Sequence, residues 1–152
     1  MSDYKATLRN IDTLDHDIRI AFVVGEFNLE YTSEIERENR EFLQKNGFEN
    51  IDSYFVPGAF ELPGFAKRLI ETESYDLIIT IGVVIRGDTP HFDYVCTEAA
   101  RGIMDLGIMY DVPVIFWVLT CNTEEQVRSR IGPNFAISGL NLLSEIVQID
   151  TL

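Results

Sequence analysis

Positive charge is scarce in this chain. Twelve Lys and Arg stand against 25 Asp and Glu, a net charge of −13. Nucleic acid and anionic membrane surfaces both demand a basic face, so neither is expected as a partner. An anionic metabolite would have to be met by backbone N–H groups and one or two placed arginines. Cysteine is nearly absent as well. Cys96 and Cys121 are the only two, and they fit no metal or C-x-x-C spacing, so they read as thiols in a reducing cytoplasm. No apolar run approaches the roughly 18 residues that span a bilayer, and the N-terminus lacks a basic-then-apolar leader, so a cytoplasmic protein is expected. Several motifs of nucleotide and acyl-transfer enzymes are missing too. There is no G-x-G-x-x-G after the first apolar run, no G-x-x-x-x-G-K-[ST] and no G-x-S-x-G. A phosphoacceptor receiver is excluded by Gly25-Glu26 and Gly82, where it would carry acidic residues.

What is present is a regular alternation. Apolar, β-branched runs at residues 18–24, 51–56, 76–81 and 113–119 read as strands, with no polar alternation, as in a sheet buried on both faces. Helical patterns follow each. Residues 31–46 form a charged helix with Ile35, Phe42 and Leu43 inward, and Gly47 is placed to end it. A second helix starts near Pro63 and runs to Thr72, a proline being tolerated at a helix start. A third carries Val95, Ala99, Ile103 and Leu106. Residues 120–131 form a short helix broken at Gly132-Pro133-Asn134. Ser138 is expected to cap a last helix bearing Leu142, Leu143, Ile146 and Val147. The order β-α-β-α-β-α-β-α implies a three-layer αβα sandwich with a four-stranded parallel core sheet, flavodoxin-like, in a single domain over residues 1–152. At 46% apolar residues the chain has enough to bury a proper core. Residues 1–15, polar apart from Leu8, Ile11 and Leu14, read as an arm or a marginal edge strand.

The chemistry is expected where the strands end. There the sequence offers Phe27-Asn28, then Ala59-Phe60-Glu61, then residues 82–91, and Phe116. Gly82 reads as a tight turn leading to a helix start, an arrangement that suits an anion such as phosphate. An aromatic ring can stack on a flat heterocycle while Glu61 and backbone groups read its polar edge. Taken singly, Phe27 also reads as core, Glu61 as a helix N-terminal charge and His91 as a capping or packing residue. His91 at a helix N-terminus would stay neutral and exchange protons near pH 7. His16 lies in a polar stretch and reads as solvated.

The strings Val56-Pro57-Gly58-Ala59-Phe60-Glu61-Leu62-Pro63 and Ile85-Arg86-Gly87-Asp88-Thr89-Pro90-His91-Phe92-Asp93-Tyr94, in this order, are specific. With Phe27-Asn28, Pro113-Val114-Ile115-Phe116 and residues 123–130, they make the chain resemble the lumazine synthases over residues 18–147. The resemblance implies a transferase of riboflavin biosynthesis. It would condense 5-amino-6-(D-ribitylamino)uracil with 3,4-dihydroxy-2-butanone 4-phosphate to 6,7-dimethyl-8-ribityllumazine, without metal or organic cofactor. It implies that Phe27 stacks on the pyrimidine, and that Ala59, Phe60, Glu61, Val83, Val84 and Ile85 hold the pyrimidine and ribityl chain. Gly87, Asp88 and Thr89 would offer donors to the phosphate with Arg130 as counter-charge, and His91 would transfer protons. Phe116 would close the site from a neighbouring subunit of a homo-oligomer, a pentamer or a sixty-subunit capsid, with active sites at subunit interfaces. One segment departs from the family pattern. Residues 131–139 read Ile-Gly-Pro-Asn-Phe-Ala-Ile-Ser-Gly, with no lysine where the family commonly has one near Ser138. Arg128 reads as a solvated helix residue. Two other readings stand beside the enzyme: a non-catalytic relative that binds a lumazine or flavin or builds a shell, and a riboflavin synthase of the archaeal type.

Overall fold

A computed structural model describes residues 5–152. Four strands form one sheet: β1 (Ile20–Gly25), β2 (Ile51–Val56), β3 (Leu77–Ile85) and β4 (Val114–Cys121). Their order is β2-β1-β3-β4 and every pairing is parallel. Five helices connect or follow them: α1 (Leu29–Lys45), α2 (Leu62–Glu71), α3 (His91–Met109), α4 (Glu124–Arg128) and α5 (Asn134–Ile149). The expected αβα sandwich is therefore present.

The two-residue period of the strands sorts the core into two layers. On one face Ile20, Phe22, Val24, Leu77, Ile79, Ile81 and Val83 pack with Ile35, Leu43, Leu140 and Leu143 of α1 and α5. On the other, Ala21, Val23 and Ile78 pack with Leu62, Ala66, Leu69, Ala99, Ile103 and Leu106 of α2 and α3. Thr80, the one polar residue inside β3, is fully buried and donates to Ile115 O at 2.8 Å.

The thin apolar stripe of α1 is completed by polar groups. Thr32 donates to Gly25 O at 2.7 Å. Asn39, fully buried, donates to Ile35 O at 2.7 Å and Gly132 O at 3.0 Å, and accepts from Ala136 N–H at 2.9 Å. One amide thereby ties α1 to the loop before α5 and to the first turn of α5. The end of α1 follows expectation. Gly47, at φ 90°, donates to Gln44 O at 3.0 Å and Phe48 N–H reaches Leu43 O at 2.9 Å. A glycine suits this left-handed position, which a side chain disfavours.

Several expectations are corrected. β3 does not turn at Gly82 but runs on through Ile85. Gly82 is a packing site instead: a Cβ there would lie 3.2 Å from Leu62 Cδ1 and 3.3 Å from Ala59 Cβ. β4 extends to Cys121, so the helix expected over residues 120–131 shrinks to α4, capped by Thr123, whose Oγ1 accepts from Gln126 N–H at 3.3 Å. Ser138 caps nothing, because α5 starts four residues earlier at Asn134. β1 starts at Ile20 rather than residue 18. Residues 5–13 form no edge strand: the arm lies along α5, held by Asn141 and Ser144 (below), and turns through a short 3-10 helix at Ile11–Thr13. The part of the arm before residue 5 lies outside the described residues. His16 is exposed as expected, yet stacks on Phe48 with ring centroids 4.6 Å apart. Arg128 is not simply solvated: it donates to Tyr31 Oη at 3.0 Å, and Tyr31 in turn donates to Glu124 at 3.0 Å. Cys121 is buried, whereas Cys96 is half-buried, and desolvation pushes both thiols above their usual range. No helix among the described residues is long and apolar enough to cross a membrane.

Asn39→Ala should destabilise the fold by about 3 kcal/mol. The substitution leaves Ala136 N–H and Gly132 O without their partner, and a buried unpaired group costs roughly 1–3 kcal/mol. Urea denaturation of the two proteins checks this, and a loss below about 1 kcal/mol would mean that water replaces the amide.

Candidate active site

In a sheet of order β2-β1-β3-β4 the connections leave in opposite directions from β1 and β3, and ligands bind in the crevice that this reversal opens. A cavity of about 560 Å3 lies there, within the size range of metabolite sites. It is lined by Phe27 and Asn28 after β1, by Gly58, Ala59, Phe60 and Glu61 after β2, by Val83, Val84 and Ile85 at the end of β3, and by His91, Tyr94 and Val95 of α3.

The loops are fixed by short-range bonding. Glu26 N–H donates to Val56 O at 2.8 Å and Phe27 N–H to Pro57 O at 3.0 Å, which zips the first two loops together. Asn28 adopts a left-handed backbone (φ 57°) and sends its amide from the loop after β1 to Val83 O of β3 at 2.8 Å. Gly58 permits the Phe27 ring to lie down over this loop: a Cβ at residue 58 would sit 2.7 Å from Phe27 Cδ2. The alternative that Phe27 is core falls away, since it is 71% exposed, with Phe60 at 58% and Tyr94 at 68%. Three largely exposed aromatic rings around one concavity mark a surface built for a flat, partly apolar ligand. Glu61 ends the short 3-10 turn Ala59–Glu61 and borders the cavity with its carboxylate.

His91 is the first residue of α3, as expected; it lines the cavity, and its backbone N–H donates to Thr89 Oγ1 at 3.4 Å. The turn before it is held by Arg86. Its N–H donates to Cys121 O at 2.9 Å, Nε donates to Asn122 at 3.0 Å, Nη1 reaches Asp93 at 3.3 Å, and the guanidinium lies 4.3 Å from the Phe92 ring centroid. The exposed Arg86–Asp93 pair alone contributes under about 1 kcal/mol, so the hold comes from the four contacts together. Gly87, Asp88 and Thr89 are exposed, and their N–H groups find no acceptor among the described residues. They border the cavity in sequence, between Ile85 and His91, without lining it. Among the described residues no group of three or more His, Cys, Asp or Glu could hold a metal ion.

The family model for 6,7-dimethyl-8-ribityllumazine synthase matches residues 17–148. The chain belongs to that family. A 6,7-dimethyl-8-ribityllumazine synthase of Parabacteroides distasonis is 44% identical over 125 residues, which cover 81% of this chain and 78% of that protein.

Two residues expected in the site of a lumazine synthase stand apart from this cavity. Phe116 is not at a strand end. It is the third residue of β4, paired with Thr80, five residues before Cys121, or about 16 Å along the strand. Arg130 follows α4 and lines a second cavity, of about 840 Å3, with Lys5, Trp117, Pro133 and Ser138. Its Nη1 donates to Gln126 O at 2.9 Å and Ser129 Oγ at 3.1 Å. Phe116 is 41% exposed, an unusual state for phenylalanine in a sheet. Conversely, Gly58, Tyr94 and Val95 have no role assigned from sequence, although Tyr94 follows His91 by three residues on the same helix face. Asn28 is expected at the end of β1, but its bond to Val83 is not, because it spans 55 positions.

Asn28→Ala should loosen the first loop at a cost of about 2 kcal/mol, roughly half from the lost amide bond and half from forcing alanine into the left-handed region. Hydrogen exchange at Glu26 and Phe27 should quicken while β3 stays protected. Unchanged exchange would show that the loop is held by the Pro57 contact alone.

Proposed function

We propose that the protein condenses 5-amino-6-(D-ribitylamino)uracil with 3,4-dihydroxy-2-butanone 4-phosphate to 6,7-dimethyl-8-ribityllumazine, in a reducing cytoplasm that suits its two free thiols. The observation that carries this reading is the aromatic-lined cavity at the reversal of the sheet, with His91 at its rim, in a chain of the lumazine synthase family. Mixing the purified protein with both substrates and following lumazine fluorescence tests it directly; absence of product would favour the alternative of a non-catalytic ligand-binding relative, which no observation here favours.

Each step has a residue suited to it. Phe27 stacks on the pyrimidine, and Ala59, Phe60, Glu61 and residues 83–85 hold its polar edge and the ribityl chain. The amine of the uracil attacks the butanone carbonyl and water leaves as the imine forms. Phosphate is then eliminated, and a second loss of water closes the ring. No oxidant is required for this balance. His91, at the cavity rim, carries the protons. The unpartnered N–H groups of Gly87, Asp88 and Thr89, at the start of a 19-residue helix, suit the leaving phosphate. Holding both reactants supplies much of the rate, since orientation alone is worth roughly 7–11 kcal/mol in favourable cases.

The same reading makes the protein a ring of identical subunits, a pentamer or a capsid of such rings. Phe116 and Arg130 cannot serve their own subunit's cavity, and each is suited to close that of a neighbour. Exposed side chains on α3, Met104, Ile108 and Met109, and the open edge of β2 offer surface for such contacts.

His91→Ala should lower turnover roughly ten- to a thousandfold with little change in uracil binding. Unchanged turnover in a folded variant would remove His91 from the mechanism. His91→Ala and Arg130→Ala subunits, refolded together, should recover about a quarter of wild-type activity, because random assembly pairs two intact faces at roughly one site in four. No recovery in mixed rings verified by mass would put both residues in one subunit's site.

A further inference from the structure

The second cavity contains two cations, Lys5 and Arg130, and no carboxylate lines it. Neither cation has an acidic partner among the described residues. In a chain with 25 acidic and 12 basic residues, this runs against the charge balance. Two like charges in one concavity repel, by about 1 kcal/mol at 4 Å in water and more beside a protein wall. An anion between them reverses the sign. The lining also offers a hydroxyl: Ser138 has no protein partner for it among the described residues. Arg130 has committed only Nη1 of its fork.

Lys5 is brought there by the register of the arm on α5. Thr7 O accepts from Asn141 Nδ2 at 2.9 Å, and Arg9 N–H donates to Asn141 Oδ1 at 2.9 Å. Further on, Asn10 O accepts from Ser144 Oγ at 3.2 Å. The arm therefore runs in the same direction as the helix. Going back two residues from Thr7 moves about 7 Å toward the start of α5. Ser138, three residues before Asn141, lies about 4.5 Å back along the axis. Lys5 thus comes level with the first two turns of α5, where the cavity opens. The anchor is firm, since Asn141 is buried and Leu8 and Ile11 pack on the core.

We propose that Lys5 is a phosphate-binding residue of the reaction, clamping the phosphate of the butanone substrate together with Arg130. This rests on the assignment of Arg130 made above. It makes the N-terminal arm part of the binding machinery rather than only a cover for α5. Ser138 lines the same cavity as Lys5 and leaves room there with its short side chain.

The test uses the full, assembled protein with Lys5→Ala, Lys5→Arg and the double variant Lys5→Ala/Ser138→Lys. Inorganic phosphate is titrated calorimetrically, and KM is measured for each substrate. Lys5→Ala should weaken phosphate binding and raise the KM of the butanone phosphate about tenfold, as expected for one charge-assisted contact, with the uracil KM within about twofold. Lys5→Arg should keep most of the affinity. Ser138→Lys should restore it in the Lys5→Ala background, because residue 138 opens into the same cavity. Unchanged phosphate affinity in Lys5→Ala overturns the clamp, whatever the turnover. Equal rises in both KM values overturn it too, since they would make Lys5 a brace for the arm. If the wild type produces no lumazine while phosphate binding still depends on Lys5, the functional reading falls and the clamp stands.

Discussion

The structure depends on the parallel pairing of β1 with β3. Parallel neighbours need a crossover, so every connection must leave from one edge of the sheet and return at the other. All four carboxyl ends therefore share an edge, and all the loops that follow them meet there. β1 and β3 are buried on both faces, which fixes their register, because a shift of one residue would turn Ile20, Phe22 and Val24 toward the wrong layer. Once that pairing is set, the crevice between the first and third loops exists whatever residues line it. The chemistry is then a matter of which side chains occupy the loops.

Those loops are held by polar groups rather than by apolar packing. Asn28 crosses to Val83, Arg86 reaches Asn122, Asp93 and the Phe92 ring, and Thr32 closes on Gly25. Loops at a binding edge cannot bury much surface without filling the site they serve. Hydrogen bonds provide direction at little volume, which leaves Phe27, Phe60 and Tyr94 free to face a ligand. The same economy governs the far side of the molecule. There Asn39, Asn141 and Ser144 fasten α1, the arm and α5 to one another, and so set where Arg130 and Lys5 lie.

A net charge of −13 makes the placement of the few cations informative. Arg37, Arg40 and Arg101 pair with carboxylates on their own helices. Arg130 and Lys5 do not, and they open onto one cavity. In the sequence the same region is notable for a lysine it lacks. The structure shows another lysine entering from the opposite end of the chain, 125 residues before Arg130 in sequence. A charge lost in one segment of a site can be supplied from any other that the fold brings near, because a phosphate responds to the field and not to the source of the charge.

Much of the architecture was legible in the residues. Long apolar runs without alternation imply a parallel sheet, and their spacing by helical patterns implies the crossovers; both are local statistics of side-chain burial. The loops with Phe27, Ala59 to Glu61 and His91 could be read for the same reason, since each directly follows a strand. The ends of elements could not. Gly82 looks like a turn, but a glycine also serves where two layers press together, and only the approach of Leu62 and Ala59 decides between these. Ser138 looks like a cap, yet α5 gains a first turn because Asn39, 97 positions away, satisfies Ala136 N–H. The resemblance implied that Phe116 would act from a neighbouring subunit, but no local pattern showed where Phe116 and Arg130 lie in their own chain, because that depends on strand register and on the path after α4. Sequence by itself determined the layers and the list of candidate groups, through local periodicity and loop chemistry. Tertiary structure alone decided which of them face one another, because the distances that govern stacking, hydrogen bonding and charge pairing are set by contacts far apart in the chain.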